Sequence, residues 1–251
     1  SSSISSFKLG FKDNGSSATI ETLSASINAG ATYTYTFTAT LDLSAGGFHE
    51  LKLFTALSGD VNKSNDTLTV NILGKVTVFP YFEDFEKNNG GFTTGGTSSS
   101  WEWGAPVKPV MTSAGQGKKC WTNGYLNSTY NASEESYLWF PCMDFSRLKT
   151  PQISFKMFCQ MELNYEKTEL EVSTNGGSSW SAVGGSGTSN CNIKNWYNTS
   201  AGWSGSVGGC YPGCGSANYC GKWVEASYCL SGLAGQKDVR FRLHFGPSGF
   251  V

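Results

Sequence analysis

The sequence predicts an almost wholly β protein built from two domains, and three observations carry that expectation. Glycine is high at 31 residues and aromatic residues make up 14 %, while charged residues reach only 15 %, a composition of twisted strands joined by small turn residues. Apolar residues recur with period two in several short runs, the mark of strands with one buried face. Before Phe79 there is no cysteine and no tryptophan, and after it come all eight of each, so one kind of domain ends there and another begins. At 251 residues the chain is long enough for two domains that each bury a core.

Taken in order, Phe7, Leu9 and Phe11 alternate ahead of an Asp13-Asn14-Gly15 turn. Thr32 to Leu41 alternates hydroxyl and apolar side chains and is expected to be the most regular strand of the chain. Leu51 and Leu53 alternate after Gly46-Gly47, and Leu68, Val70 and Ile72 follow Asn65-Asp66. Short strands separated by Gly, Asn and Asp turns predict an Ig-like β-sandwich over residues 1–78. The run from Gly59 to Thr67 resembles the loop before the last strand of CARDB-like adhesion modules of bacterial surface proteins. Asp60, Asn62, Asn65 and Asp66 within it are read as turn side chains rather than a Ca²⁺ cage, which needs about six or more oxygens.

Phe79-Pro80-Tyr81-Phe82-Glu83-Asp84-Phe85-Glu86 is read as the domain boundary and the first strand of the second domain together. Phe82 and Phe85 supply apolar anchors, and Glu83, Asp84 and Glu86 supply oxygens suited to a structural Ca²⁺. Further on, Ile153, Phe155 and Met157 alternate, Leu170 and Val172 follow, and Ser173 to Trp180 closes a hairpin in which Asn175-Gly176 suits a type I′ turn. Val239, Phe241, Leu243 and Phe245 alternate with Arg240, Arg242 and His244, a strand whose polar side carries two arginines.

The segments Phe82 to Glu86, Trp101-Glu102-Trp103-Gly104-Ala105-Pro106, Tyr137 to Asp144, Ser173 to Trp180, Asn195-Trp196-Tyr197-Asn198 and Arg240 to Leu243 fall in an order that resembles MAM-like jelly-roll domains. The resemblance covers nearly all of residues 79–251 and implies a jelly-roll β-sandwich there. Such domains occur in type IX-secreted surface proteins of gliding bacteria and beside secreted metallopeptidases. They usually end in a strand carrying Gly-Phe/Ala-x-Phe-Asp-Asp, which helps hold the Ca²⁺. No such segment follows Gly246-Pro247-Ser248-Gly249-Phe250-Val251, so the jelly roll is expected to be truncated before its last strand, as part of a longer protein or closed by a strand from elsewhere. Ser173-x-Asn175-x-Gly177-x-Ser179-Trp180 also resembles the Asp-box hairpin, a folding element.

A net charge of -1 with 18 Lys+Arg gives no footprint for nucleic acid or an anionic membrane, and no apolar run approaches the roughly 20 residues of a membrane helix. The first residues carry no signal-peptide pattern, so the chain is expected to start after any such signal. No catalytic constellation stands out. His49 and His244 lie in no zinc-protease or nucleophile motif, His244 is read as a surface or half-buried strand residue, and Glu134, Glu135, Glu169 and Glu171 are read as solvated. Cys120, Cys142, Cys159, Cys191, Cys210, Cys214, Cys220 and Cys229 are expected to form a disulfide framework in an oxidising compartment; eight cysteines allow on the order of 100 pairings, so connectivity is not readable.

The Gly-rich excursion from Ser204 to Gly221, with Trp196, Tyr197, Trp203, Tyr211, Tyr219 and Trp223, is the candidate recognition surface, the competing reading being that these aromatics are core. Asp66-Thr67-Leu68 matches an O-glycosylation pattern of exported proteins in the bacteria the chain resembles, with Thr67 as acceptor. The leading expectation is a non-catalytic adhesin or stalk module pair of a secreted or surface-anchored bacterial protein, with a surface glycan or protein as ligand. Alternatives are an accessory, carbohydrate-binding region of a secreted hydrolase, and a self-associating repeat unit of a surface filament.

Overall fold

The computed structural model describes residues 3–43, 48–185, 193–200, 202–208 and 221–247. They form several antiparallel sheets and no α-helix, and no helix among them is long and apolar enough to cross a membrane. Two compact units divide between Lys75 and Val76, slightly before the boundary expected at residue 79.

The first unit is one four-stranded sheet in the order β2-β1-β3-β4, with β1 Ile4–Asp13, β2 Thr19–Ile27, β3 Phe48–Ala56 and β4 Thr67–Leu73. Asn14 and Gly15 take positive φ at the expected turn. Leu9, Phe11 and Leu23 are buried, and Phe11 pairs with Leu53 and lies beside Thr19 across the ladders. The alternation from Thr32 to Leu41 does not form a strand. A side chain displaces the ladder there: the Glu21 carboxylate accepts from Tyr35 Oη at 2.6 Å, Thr38 Oγ1 at 2.8 Å, and the Thr38 and Ala39 amides at 3.0 Å each. Phe37 meets Phe11 edge-on at 5.0 Å, so the segment covers part of the sheet without joining its backbone ladder. The β4 apolar face is less buried than its alternation predicts, with Leu68 62 % exposed.

The second unit carries a five-stranded sheet in the order β11-β10-β13-β8-β5 and two two-stranded antiparallel pairs, β12-β9 and β6-β7. The strands are β5 Thr93–Thr97, β6 Glu102–Gly104, β7 Cys120–Thr122, β8 Glu135–Trp139, β9 Gln152–Met157, β10 Glu166–Ser173, β11 Ser181–Ala182, β12 Val224–Cys229 and β13 Arg240–Pro247. Phe79 to Glu86 is not the expected first strand. Phe85 takes a positive φ of 61°, and the side chains of Glu83 and Asp84 bond their own downstream amides, which turns the chain instead of extending it. In the core, Leu138, Leu170, Phe241 and Phe245 come from the inner face of the large sheet, and Ala226 comes from β12.

A buried carboxylate stitches the loops around β8. Glu134, read from sequence as solvated, is 3 % exposed and accepts from Ser100 N (2.9 Å), Ser100 Oγ (2.5 Å), Ser136 Oγ (2.5 Å), Asn123 Nδ2 (2.7 Å) and Asn131 N (3.0 Å). Burial pushes its pKa up, but these donors together outweigh burial and hold it below the usual carboxylate value.

Candidate functional site

Three of the expected recognition aromatics, Trp196, Tyr197 and Trp203, are core residues. Trp196, Tyr197 and Trp203 are 6 %, 5 % and 2 % exposed. Trp203 exchanges backbone hydrogen bonds with Thr168 of β10 and meets Phe155 of β9 edge-on at 5.8 Å, while Trp196 stacks on Tyr228 of β12 at 4.8 Å. The Tyr197 hydroxyl donates to Leu170 O and accepts from Leu170 N. These rings therefore join the large sheet to the β12-β9 pair, and their polar handles are spent inside. Trp223 is half-buried against Phe158 and donates to Ser113 O. Tyr211 and Tyr219 lie outside the described residues.

A different aromatic group stands on the outer face of the five-stranded sheet. Because strand neighbours alternate faces, Arg240, Arg242 and His244 of β13 share that face with Glu169 and Glu171 of β10 and with Glu135, Tyr137 and Trp139 of β8. Arg242 pairs across the ladders with Glu171 and Trp139, and His244 with Glu169 and Tyr137. The Arg242 guanidinium lies 4.1 Å from the Tyr137 ring centre and 4.3 Å from that of Trp180, held between two aromatic faces while its Nε donates to Glu171. Tyr137 in turn stacks with Trp139 at 5.4 Å and tilts against His244 at 4.7 Å.

Two local devices aim the tryptophans. Gly95 of β5 faces Tyr137 across the ladder, and a Cβ there would sit 2.7 Å from the Trp139 ring, so only glycine lets that indole lie against the strand. The Ser173–Trp180 hairpin is tied by Asn175, whose Oδ1 accepts from Ser179 N and whose Nδ2 donates to Ser179 Oγ, and by Ser173 Oγ, which accepts from Gly177 N. Its positive φ values fall on Gly176 and Gly177, not on the Asn175-Gly176 pair a type I′ turn would use. The Trp180 indole then donates to Gly177 O, which fixes the ring over Arg242. Trp139, Trp180, Arg240 and Arg242 line an open groove of about 460 Å³, and Trp180 also borders a second groove of about 230 Å³.

The sequence showed the polar side of β13 and the hairpin, yet gave no sign that they meet. Glu169 and Glu171, expected in solvent, are about nine-tenths buried at their side chains and converge on His244. His244 Nδ1 stands 3.6 Å from Glu169 and 3.5 Å from Glu171, and Nε2 stands 3.6 Å from Glu135. Burial pulls the imidazole pKa down, but the two carboxylates outweigh it and raise it to about 9. Ligand atoms of Glu169, Glu171 and His244 lie within 4.8 Å of one another, a cluster that could hold an ion. Lys167 at 2.9 Å from Glu169 and Arg242 on Glu171 already neutralise the two acids, and near neutral pH the imidazole is protonated, so the cluster is built as an ion-pair network.

Among the described residues, Glu83, Asp84 and Glu86 belong to no group of three or more His, Cys, Asp or Glu placed to share an ion. Glu83 accepts from Phe85 N, Asp84 from Glu86 N, and Glu86 from the Lys118 and Lys119 amides, so turn formation occupies these oxygens; the two lysine amides hold Glu86 below the usual carboxylate value. The disulfide framework is also narrower than expected. Cys229 is disulfide-bonded; Cys191, Cys210, Cys214 and Cys220 lie outside the described residues. Cys120, Cys142 and Cys159 are thiols, because separate parts of the unit hold them: Cys120 lies in β7 opposite Gly104, Cys142 Sγ is 3.8 Å from Asp238 Oδ1, and Cys159 Sγ is 3.5 Å from Gly205 O. Burial pushes the Cys120 and Cys159 thiols up to about 11 and about 12.

No protein-family model matches the chain. A 121-residue stretch, 48 % of the chain, is 28 % identical to bacillopeptidase F of Bacillus subtilis (strain 168), of whose length the match spans 8 %. Among solved structures, one on the promiscuous specificity of carbohydrate-binding modules from the β-sandwich superfamily superposes with a TM-score of 0.37 and 13 % identity, over 96 % of this chain and 78 % of that one. The K2 cleaved adhesin domain of Lys-gingipain superposes with a TM-score of 0.36 and 15 % identity, over 65 % of this chain and 92 % of that one. Likenesses this slight carry neither a fold nor a ligand across.

Proposed function

We propose that the chain is a non-catalytic binding region of a secreted or surface-anchored bacterial protein, and that the outer face of its five-stranded sheet binds a glycan. The observation that carries this reading is the pair of half-buried indoles, Trp139 and Trp180, which line the open groove and are held in place by Tyr137, Arg242 and the Ser173–Trp180 hairpin. Rigid aromatic faces stack on sugar rings at little entropic cost. The Cys229 disulfide supports an oxidising, extracellular location. Assignment of the two units to an Ig-like, CARDB-like module and a MAM-like jelly roll belongs to this proposal, as does Thr67, exposed at the start of β4, as an O-glycan acceptor. Any ion at Glu169, Glu171 and His244 would be of the imidazole-preferring kind, such as Zn²⁺, rather than Ca²⁺.

A glycan array with wild type and Trp139→Ala tests the reading. Wild-type binding that falls at least about tenfold in the variant, with near-ultraviolet circular dichroism unchanged, is expected. Wild-type protein that binds no glycan, or a variant that binds as well as wild type, would overturn it. The stretch similar to bacillopeptidase F supports a second reading, an accessory region of a secreted hydrolase. The mass and peptide map of the native polypeptide separate the two by revealing a catalytic domain or only further β modules.

A further inference from the structure

We infer that the groove takes a carboxylated saccharide, a chain of uronic-acid units, with Arg240 as the residue that recognises the carboxylate. This rests on the glycan reading above and adds the ligand class. Two arginines and no carboxylate are among the residues lining the groove. They differ in what they are free to do: Arg242 is held by Glu171 and between the Tyr137 and Trp180 rings, whereas Arg240, two residues before it on the same face, is exposed and forms no salt bridge with a described residue. Lys167 and Arg242 are taken up by Glu169 and Glu171, and His244 lies among Glu135, Glu169 and Glu171, which leaves Arg240 as the groove cation with no carboxylate partner among the described residues.

A guanidinium fork matches a carboxylate with two parallel hydrogen bonds, which favours a uronate over a neutral hexose of the same shape. The aromatic rings select a sugar over an acidic peptide, since they offer flat apolar surface beside the charge. Trp180 borders both grooves, the second of which is lined mainly by Ser173, Thr174, Ser179 and Ser181 with Gln236. One ring flanked by a basic groove and a hydroxyl-rich one fits a chain that crosses the indole, its acid on the Arg240 side and neighbouring hydroxyls on the other.

The test is isothermal titration of the 251-residue chain with homogalacturonan oligosaccharides that are de-esterified or fully methyl-esterified, with poly-glutamate as a third titrant. The charged sugar is expected to bind at least about tenfold more tightly than its ester. Arg240→Gln is expected to abolish that preference while leaving the weaker ester binding intact. Equal binding of acid and ester, or a preference that survives Arg240→Gln, would overturn the inference and leave glycan binding standing. Binding to neither sugar would overturn it together with the glycan reading for this polymer class. Poly-glutamate binding as tightly as the uronate would overturn it in favour of an acidic protein partner.

Discussion

Two aromatic clusters in the same unit show how little residue type says about role. Trp196, Tyr197 and Trp203 join the large sheet to the β12-β9 pair from inside, with every hydroxyl and indole N–H bonded to backbone. Tyr137, Trp139 and Trp180 sit on the opposite face of that sheet, where they meet an arginine and a histidine rather than aliphatic neighbours. The first cluster is an organising core, and the second is half-buried, with Trp139 and Trp180 lining an open groove and Tyr137 packed behind them. The half-buried rings are the ones proposed to bind; the fully buried rings hold the domain together.

The comparison breaks most visibly under truncation. Trp203→Ala should cost about 3–5 kcal/mol by denaturant melting, the range for emptying a buried large aromatic site, whereas Trp139→Ala should cost far less and act on binding. Equal losses would erase the distinction between the clusters. A smaller effect is expected at the polar anchor: Glu134→Gln puts an amide N–H₂ among donors that now point at a carboxylate, and should cost about 2–3 kcal/mol in the same assay. A wild-type melting profile would show that the network is dispensable.

The smallest effect is one of pH. His244 has a folded pKa raised above its ordinary value of 6.5 to about 9, so its ion pairs contribute stability that is fully present below about pH 6.5 and lost as pH rises through about 9. The melting midpoint should fall by a few degrees across that window, and His244→Gln should flatten the fall. A variant with the wild-type slope would place the linkage on another group.

Much of the strand pattern was legible, because alternation in β1, β3, β9, β10 and β13 reports a two-sided environment that each strand meets directly. Two segments with strand pattern are not strands, for related reasons. Thr32 to Leu41 has the period of a strand, yet one distant carboxylate, Glu21, takes the hydrogen bonds a neighbouring strand would have taken. Phe79 to Glu86 has strand composition, but its acids bond amides two residues on and curl the chain. Side-chain competition for backbone groups leaves no trace in hydrophobic period.

The sequence by itself determined the all-β character, the change of composition near residue 79 and the polar side of β13, since these depend on local propensity and pattern. Only the tertiary structure decided which aromatics are core and which form a face. It also turned Glu169, Glu171 and His244 from scattered surface residues into one network. Both outcomes depend on ladder register between strands far apart in the chain, where shifting one pairing by a single residue would send every side chain to the other side of the sheet.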